Sequence, residues 1–94
     1  MTYKNKHFYI ENISVEKLSK RFGTPAYIYS YSNLKNNIEN FKRYFKTFEP
    51  IICFSVKSNS NLKLLNIISR FGLGADVVSK GELLKALKAK IKPE

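Results

Sequence analysis

Apolar positions recur along this chain with spacings typical of helices, interrupted by short apolar runs of strand length. Val15, Leu18 and Phe22 follow each other at three and four residues, which predicts a short helix. Ser14 is expected to start it and Gly23 to end it, because serine and glycine are common at these positions. The residues before this helix are interpreted as a short polar leader.

A strand and a longer helix are predicted next. Residues 24–31, TPAYIYSY, are aromatic and β-branched after a proline, which favours a strand. Ser32 is expected to cap the following helix, and residues 47–50 close it. The apolar face of this helix repeats at four, three and four residues, in Leu34, Ile38, Phe41 and Phe45.

The stretch 51–61, IICFSVKSNSN, changes from apolar to polar at a lysine. Its first six residues form a run of strand length, and Lys57 ends the strand before small polar turn residues. Side chains alternate along a strand, so Lys57 should share a face with Ser55 and Cys53, while Phe54 points the other way and packs under helices. Since α/β proteins place ligands at the carboxyl ends of their strands, Lys57 is predicted to project into a pocket.

Two interpretations of Lys57 follow from this position. An ammonium group is costly to desolvate, and forming an imine with a carbonyl compound such as pyridoxal phosphate (PLP) removes its charge. Alternatively, the side chain extends from the strand end into solvent. From position alone, the solvent-exposed alternative is favoured.

Helix and strand patterns then alternate. Residues 61–71 carry one apolar face, with Gly72 as the helix stop, and residues 74–78, GADVV, predict a second strand. The S-x-x-E motif from Ser79 predicts a helix start, and the helix is expected to run through Ile91. Connections of about two to four residues between such elements are usual in α/β units. The pattern therefore predicts an α/β fold with parallel strands.

Two β/α units cannot close a barrel, and they would leave strand edges unpaired and apolar helix faces half covered. A complete barrel of this kind needs about 250 residues. We therefore expect the 94-residue chain to be a truncated part of a longer protein.

The chain carries 17 Lys and Arg against 7 Asp and Glu, a formal net charge of +10. This excess permits contact with nucleic acid or an acidic membrane surface. The basic residues are, however, spread over the whole length without a run of five. Solvated helix faces are the favoured interpretation, and a basic nucleic-acid-binding module is the weaker one.

Cys53 is the single cysteine, so no disulfide can form within the chain, which fits a reducing cytosol. Its place in an apolar run favours core packing over a nucleophilic role, and the single histidine, His7, lies in the polar leader. No apolar stretch approaches membrane-spanning length, and the N-terminus lacks the apolar region of a signal peptide. Nothing in the sequence argues for export.

Three segments together resemble a known family: GTPAYIYS at 23–30, FSVKSNSN at 54–61 and GLGADVVSKGEL at 72–83. In this order and spacing they resemble the N-terminal part of the diaminopimelate decarboxylases, PLP-dependent enzymes with an alanine-racemase-like barrel. The resemblance covers about residues 15–94. It reverses the preference stated for Lys57 and favours the PLP interpretation.

The resemblance implies the N-terminal part of a (β/α)8 TIM-type barrel of PLP fold type III, truncated after its second β/α unit. Residues 1–31 would be a leader and a strand associated with the second, β domain of the complete enzyme. Residues 32–94 would be the first helix and the first two β/α units of the barrel. The remaining cofactor contacts would lie beyond Glu94.

By position, Lys57 matches the family lysine that binds PLP covalently and then takes part in proton transfer. Asp76 matches the acidic residue near the cofactor. A lone carboxylate in an apolar strand is costly without a partner, so a structural hydrogen bond explains Asp76 equally well. Ser55 stands where relatives usually have alanine, and it either touches the cofactor ring or fills space. Lys80 replaces a common glycine on a first helical turn.

For the complete protein, the resemblance implies decarboxylation of meso-2,6-diaminopimelate to L-lysine and carbon dioxide by a cytoplasmic homodimer. It implies a small amino-acid substrate and neither a nucleic-acid nor a membrane partner. The 94 residues alone are expected to be inactive. Ornithine, arginine or carboxynorspermidine decarboxylase, alanine racemase and a non-catalytic PLP-binding protein stay open as alternatives.

Overall fold

A computed structural model describes residues 1–93 of the chain. The chain divides into two compact units, Met1–Tyr44 and Phe45–Glu94. The first unit combines a small antiparallel sheet with two helices, and the second alternates strands and helices. The α/β fold expected from the sequence is therefore confirmed in the second unit.

A three-stranded antiparallel sheet opens the first unit, in the part interpreted as a leader. Its strands are β1 (Thr2–Lys4), β2 (His7–Ile10) and β3 (Ile13–Ser14). The turns Asn5–Lys6 and Glu11–Asn12 join them, and all four turn residues have positive φ, between 47° and 66°. Such two-residue turns match the twist of the strands they join, and asparagine tolerates this backbone conformation well. The sequence signal for this sheet is therefore its turn residues, and not a periodic pattern of apolar residues.

The first helix, α1 (Val15–Phe22), has the predicted bounds. The Ser14 side-chain oxygen accepts a hydrogen bond from the Lys17 backbone N–H at 3.2 Å. Gly23 follows the helix with a φ of 79°, a conformation that glycine adopts without strain. Both local end signals in the sequence are thereby confirmed.

The second helix, α2 (Tyr31–Tyr44), begins earlier than predicted. The cap is Ser30, whose hydroxyl oxygen accepts a hydrogen bond from the Asn33 N–H at 3.2 Å, so the prediction of Ser32 as the cap is wrong. The strand predicted over residues 24–31 is wrong as well, since residues 24–30 form no strand. A strand needs a hydrogen-bonding neighbour, and none of the described strands pairs with this segment.

Strands and helices alternate in the second unit. Its elements are β4 (Cys53–Ser55), a 3-10 turn (Val56–Ser58), α3 (Leu62–Arg70), β5 (Gly74–Asp76) and α4 (Lys80–Lys88). The two strands pair in parallel, with Ser55 opposite Asp76. The two consecutive β/α units predicted from the sequence are confirmed, but both strands are shorter than the predicted runs 51–57 and 74–78.

Side-chain caps start both helices of this unit. The Asn61 side-chain oxygen accepts a hydrogen bond from the Leu64 N–H at 3.2 Å. Ser79 accepts one from the Glu82 N–H at 3.1 Å, and the Glu82 carboxylate accepts one from the Val78 N–H at 2.8 Å. The predicted capping motif therefore forms, with the glutamate reaching back to the residue before the serine.

Helix α4 ends at Lys88, so the prediction that it continues through Ile91 is wrong. Lys90 has a φ of 67°, and the Ile91 N–H turns back to donate to the Ala86 carbonyl at 3.1 Å. This arrangement closes helix ends after one left-handed residue. Ser69 of α3 secures the turn by donating its hydroxyl to the Lys90 carbonyl at 2.7 Å.

The core of the second unit lies between the parallel strands and the two helices. Val56, Leu65 and Ala89 are buried together. Phe54, Ala75 and Val77 pack against them at the edge of the cluster. The strand face that carries Phe54 is therefore the helix-covered face, as predicted.

Candidate functional site

Lys57 lies in the 3-10 turn that follows β4, not in the strand itself. The strand ends at Ser55, and the Asn59 N–H closes the turn by donating to the Val56 carbonyl at 3.1 Å. The prediction of Lys57 as the last strand residue is thus wrong. Its side chain is exposed, so the described residues do not enclose it in a pocket.

The turn fixes the backbone on both sides of Lys57. Before it, Val56 is fully buried and packs in the core with Leu65. After it, Ser58 donates its hydroxyl to the Ser55 carbonyl at 2.7 Å. Lys57 therefore extends from a rigid base at the carboxyl end of β4, which is the edge where the sequence placed it.

The register of the two strands assembles one polar face. Cys53 lies opposite Gly74, and Ser55 lies opposite Asp76. Because residues opposite each other in a sheet point to the same side, these four positions form the face away from the helices. Asp76 is the last residue of β5, so it and Lys57 lie at the same carboxyl edge.

Cys53 is a free, exposed thiol, so the prediction that it packs in the core is wrong. The core side of β4 is taken by Phe54, which leaves Cys53 on the opposite face. A Cβ atom added at Gly74 would lie 2.9 Å from the Cys53 sulfur, well inside van der Waals contact. The absence of a side chain at position 74 thus makes room for this thiol.

Two polar side chains on this face lack partners among residues 1–93. The Ser55 hydroxyl oxygen is buried and has no hydrogen-bond partner there. Asp76 is exposed, and the described residues supply it with neither a hydrogen bond nor an ion pair. The structural hydrogen bond considered for Asp76 is therefore not found in this part of the chain.

These residues fit a cofactor that carries an aldehyde. The primary amine of Lys57 is a group that bonds covalently to a carbonyl carbon. The unpaired Ser55 hydroxyl offers a hydrogen-bond donor, and the Asp76 carboxylate offers acceptors. Of these three, Ser55 has the weakest sequence signal, namely its place two residues before Lys57 on the polar face.

A shallow groove between α3 and α4 contains none of these residues. It has a volume of about 440 Å³. It is lined by Leu62, Lys63, Asn66, Ile67, Arg70, Lys88 and Ala89. Three of these side chains are cationic and none is a carboxylate, so the groove is electropositive but separate from the predicted site.

The described residues form neither a metal-ligand cluster nor a membrane-spanning helix. Residues 1–93 contain no group of three or more His, Cys, Asp or Glu side chains placed to hold a metal ion. None of the helices in this range combines the length and the apolar character needed to cross a bilayer.

Several known proteins that resemble this chain belong to one enzyme family. The model of the pyridoxal-binding domain of pyridoxal-dependent decarboxylases matches residues 31–94. The diaminopimelate decarboxylase of Aquifex aeolicus is 39% identical over 94 residues, which is 100% of this chain and 22% of that protein.

Solved structures agree with this result. A crystal structure from Aquifex aeolicus has a TM-score of 0.94 at 40% identity, covering 99% of this chain and 23% of the other. Diaminopimelate decarboxylase from M. jannaschii in complex with L-lysine has a TM-score of 0.83 at 35% identity, covering 96% of this chain and 22% of the other. The chain thus spans about a fifth of the length of the curated relatives it matches.

Proposed function

This chain belongs to the pyridoxal-dependent decarboxylases, through their pyridoxal-binding domain, and from that premise we propose that Lys57 binds the aldehyde of pyridoxal 5'-phosphate covalently. The observation that carries the proposal is the position of this amine. It extends from a rigid turn at the carboxyl edge of two parallel strands. An unpaired hydroxyl and a carboxylate lie on the adjoining strand face.

The residues of this chain would have three tasks in the reaction. When bound, the cofactor supplies the aldehyde carbon for the covalent link and a ring that accepts the electrons released as carbon dioxide departs. Lys57 would anchor the cofactor through Nζ, and after the substrate amine has displaced it the same nitrogen would carry a proton to the substrate α-carbon that has lost carbon dioxide. Asp76 presents acceptor oxygens at the same edge, where they bind a donor of the cofactor or the Lys57 amine.

For the protein as a whole, we propose decarboxylation of meso-2,6-diaminopimelate to L-lysine and carbon dioxide. Support comes from the curated relatives named diaminopimelate decarboxylase and from the similarity to one such enzyme crystallised with L-lysine. The proposal includes a complete (β/α)8 barrel, a cytoplasmic homodimer, and neither a nucleic-acid nor a membrane partner. Lys57 and Asp76 are its site residues in this chain.

A second candidate is a decarboxylase of the same family with another amino-acid substrate. The matching family model describes pyridoxal-dependent decarboxylases in general and specifies no substrate. Assays of the whole protein with diaminopimelate, ornithine and arginine separate the candidates. Carbon dioxide release from diaminopimelate alone supports the first proposal, whereas release from ornithine or arginine alone supports the second.

Reduction with borohydride tests the assignment of Lys57. The protein is loaded with pyridoxal 5'-phosphate, reduced and digested, and the labelled peptide is identified by mass spectrometry. We expect the label on Lys57, and in Lys57→Ala we expect no stoichiometric label and at least about a 10²-fold loss of activity.

The matched control is Lys63→Ala, which removes an exposed lysine on α3 outside the polar face. It should label and react as the unmodified protein does. A stoichiometric label on another lysine, or equal labelling of Lys57→Ala, would refute the assignment.

A further inference from the structure

The hydroxyl of Ser55 is buried without a hydrogen-bond partner among residues 1–93. Buried hydroxyl groups in folded proteins nearly always have a partner, because an unpaired one keeps the full cost of leaving water. An alanine at this position would avoid that cost. The serine therefore calls for an explanation beyond filling space in the strand.

Two other serines of the same unit have hydroxyl groups that make structural hydrogen bonds. Ser58 donates to the Ser55 carbonyl and Ser69 donates to the Lys90 carbonyl, each at 2.7 Å. Both hydroxyls close a turn of the backbone. The Ser55 hydroxyl closes no turn in this way, although the Ser55 backbone carbonyl accepts the hydrogen bond from Ser58.

The surroundings of Ser55 indicate which partner would use its hydroxyl. Ser55 ends β4 two residues before Lys57 and lies opposite Asp76 in the parallel register. Its side chain thus belongs to the polar face of the sheet, next to both residues assigned to the pyridoxal site. The hydroxyl oxygen itself is closed off from solvent, although Ser55 as a whole is only half-buried, so a ligand attached to Lys57 and lying over this face would meet it once the Ser55 side chain turns towards the ligand.

We propose that Ser55 is a further cofactor-binding residue, whose hydroxyl makes a hydrogen bond to pyridoxal 5'-phosphate in the loaded protein. The inference rests on the function proposed for Lys57. The hydroxyl stays unpaired until the cofactor supplies a polar atom, so part of the cost of folding is recovered on binding.

The test is Ser55→Ala in the whole protein, with cofactor affinity and stability measured separately. Titration with pyridoxal 5'-phosphate should give a Kd raised about two- to tenfold, the effect of one hydrogen bond. The absorption maximum of the bound cofactor should also shift. The thermal midpoint of the cofactor-free protein should not fall, because the variant removes an unpaired buried hydroxyl.

Two variants serve as controls. Ser55→Thr keeps a hydroxyl and should bind the cofactor within about twofold of the unmodified protein. Ser69→Ala removes a paired hydroxyl away from the polar face, so it should lower the cofactor-free midpoint and leave the Kd unchanged.

An unchanged Kd and an unchanged absorption maximum in Ser55→Ala would overturn the inference, whatever the midpoint does. Borohydride trapping separates this failure from failure of the proposed function. If Ser55→Ala and the unmodified protein both trap the cofactor on Lys57, the function stands independently of Ser55. If the unmodified protein traps none there, the function proposed for Lys57 is wrong.

Discussion

The two units of the chain are stabilised by different interactions. In Phe45–Glu94, apolar side chains from the strands and helices meet, and Val56, Leu65 and Ile68 are all 0% exposed. In Met1–Tyr44, helix α1 contains no buried residue. The second unit thus buries several apolar side chains completely, whereas the first buries Ile10 and Ile38 and adds polar contacts around Glu11.

The polar contacts of the first unit centre on the carboxylate of Glu11. One of its oxygens accepts hydrogen bonds from the Ser30 hydroxyl, from the Ser32 hydroxyl at 2.6 Å and from the Ser32 N–H at 2.7 Å. These bonds, the Ser30 hydroxyl first, lower the pKa of Glu11 from 4.5 to about 2. The turn between β2 and β3 is thereby tied to the start of α2, and we call this group the Glu11 clamp.

Removing a core side chain should have the largest effect. Leu65→Ala should lower the free energy of unfolding by about 2–5 kcal/mol, because it leaves a cavity in a fully buried site. Leu18→Ala in α1, where the side chain is only half-buried, should lower it by about 1 kcal/mol. Urea unfolding measures both values, and equal losses would remove the contrast between the units.

Removing a helix cap should have an intermediate effect that is similar in both units. Ser14→Ala and Ser79→Ala should each lower the free energy of unfolding by about 1 kcal/mol, since each serine accepts one backbone N–H at the start of a helix. Ser79→Gly is the control and should lose only a few tenths of a kcal/mol. A loss at one serine and none at the other would show that tertiary packing decides the outcome.

Acid should selectively weaken the Glu11 clamp, with the smallest effect because the carboxylate is exposed to solvent. Its folded-state pKa of about 2 is lower than the ordinary value of 4.5. The clamp therefore contributes its full stability above pH 4.5 and loses it as the pH falls towards 2. Thermal midpoints should show Glu11→Gln less stable at neutral pH, with the difference shrinking through this window. A difference independent of pH would contradict the assignment.

Helices with strong local signals were predictable from the sequence, whereas elements that depend on distant residues were not. The bounds of α1 follow from Ser14, Gly23 and a regular apolar spacing. The start of α2 is different, because its first turn bonds to Glu11, which is 19 and 21 residues away from the two serines. The antiparallel sheet was missed because its strands are short and its turns carry the signal.

In the candidate site, too, some features were predictable from the sequence and others were not. The apolar-to-polar pattern placed Lys57 at the carboxyl end of the first strand, and the family resemblance placed Asp76 near the cofactor. The parallel register brings the ends of both strands to one edge. The sequence did not indicate that Lys57 belongs to a 3-10 turn, because the turn is defined by the backbone hydrogen bond from Asn59 to Val56. Nor did it show that Ser55 keeps an unpaired hydroxyl, which requires the positions of all the surrounding atoms.

The close packing of the Cys53 sulfur over Gly74 couples the residue types that two neighbouring strands can carry at these positions. As long as the sulfur occupies the space above position 74, any side chain there would collide with it. A methyl group at position 74 therefore requires the exposed thiol either to rotate aside or to be replaced by a smaller group. Homologous sequences with alanine at position 74 should consequently carry a residue smaller than cysteine at position 53 more often than sequences with glycine there.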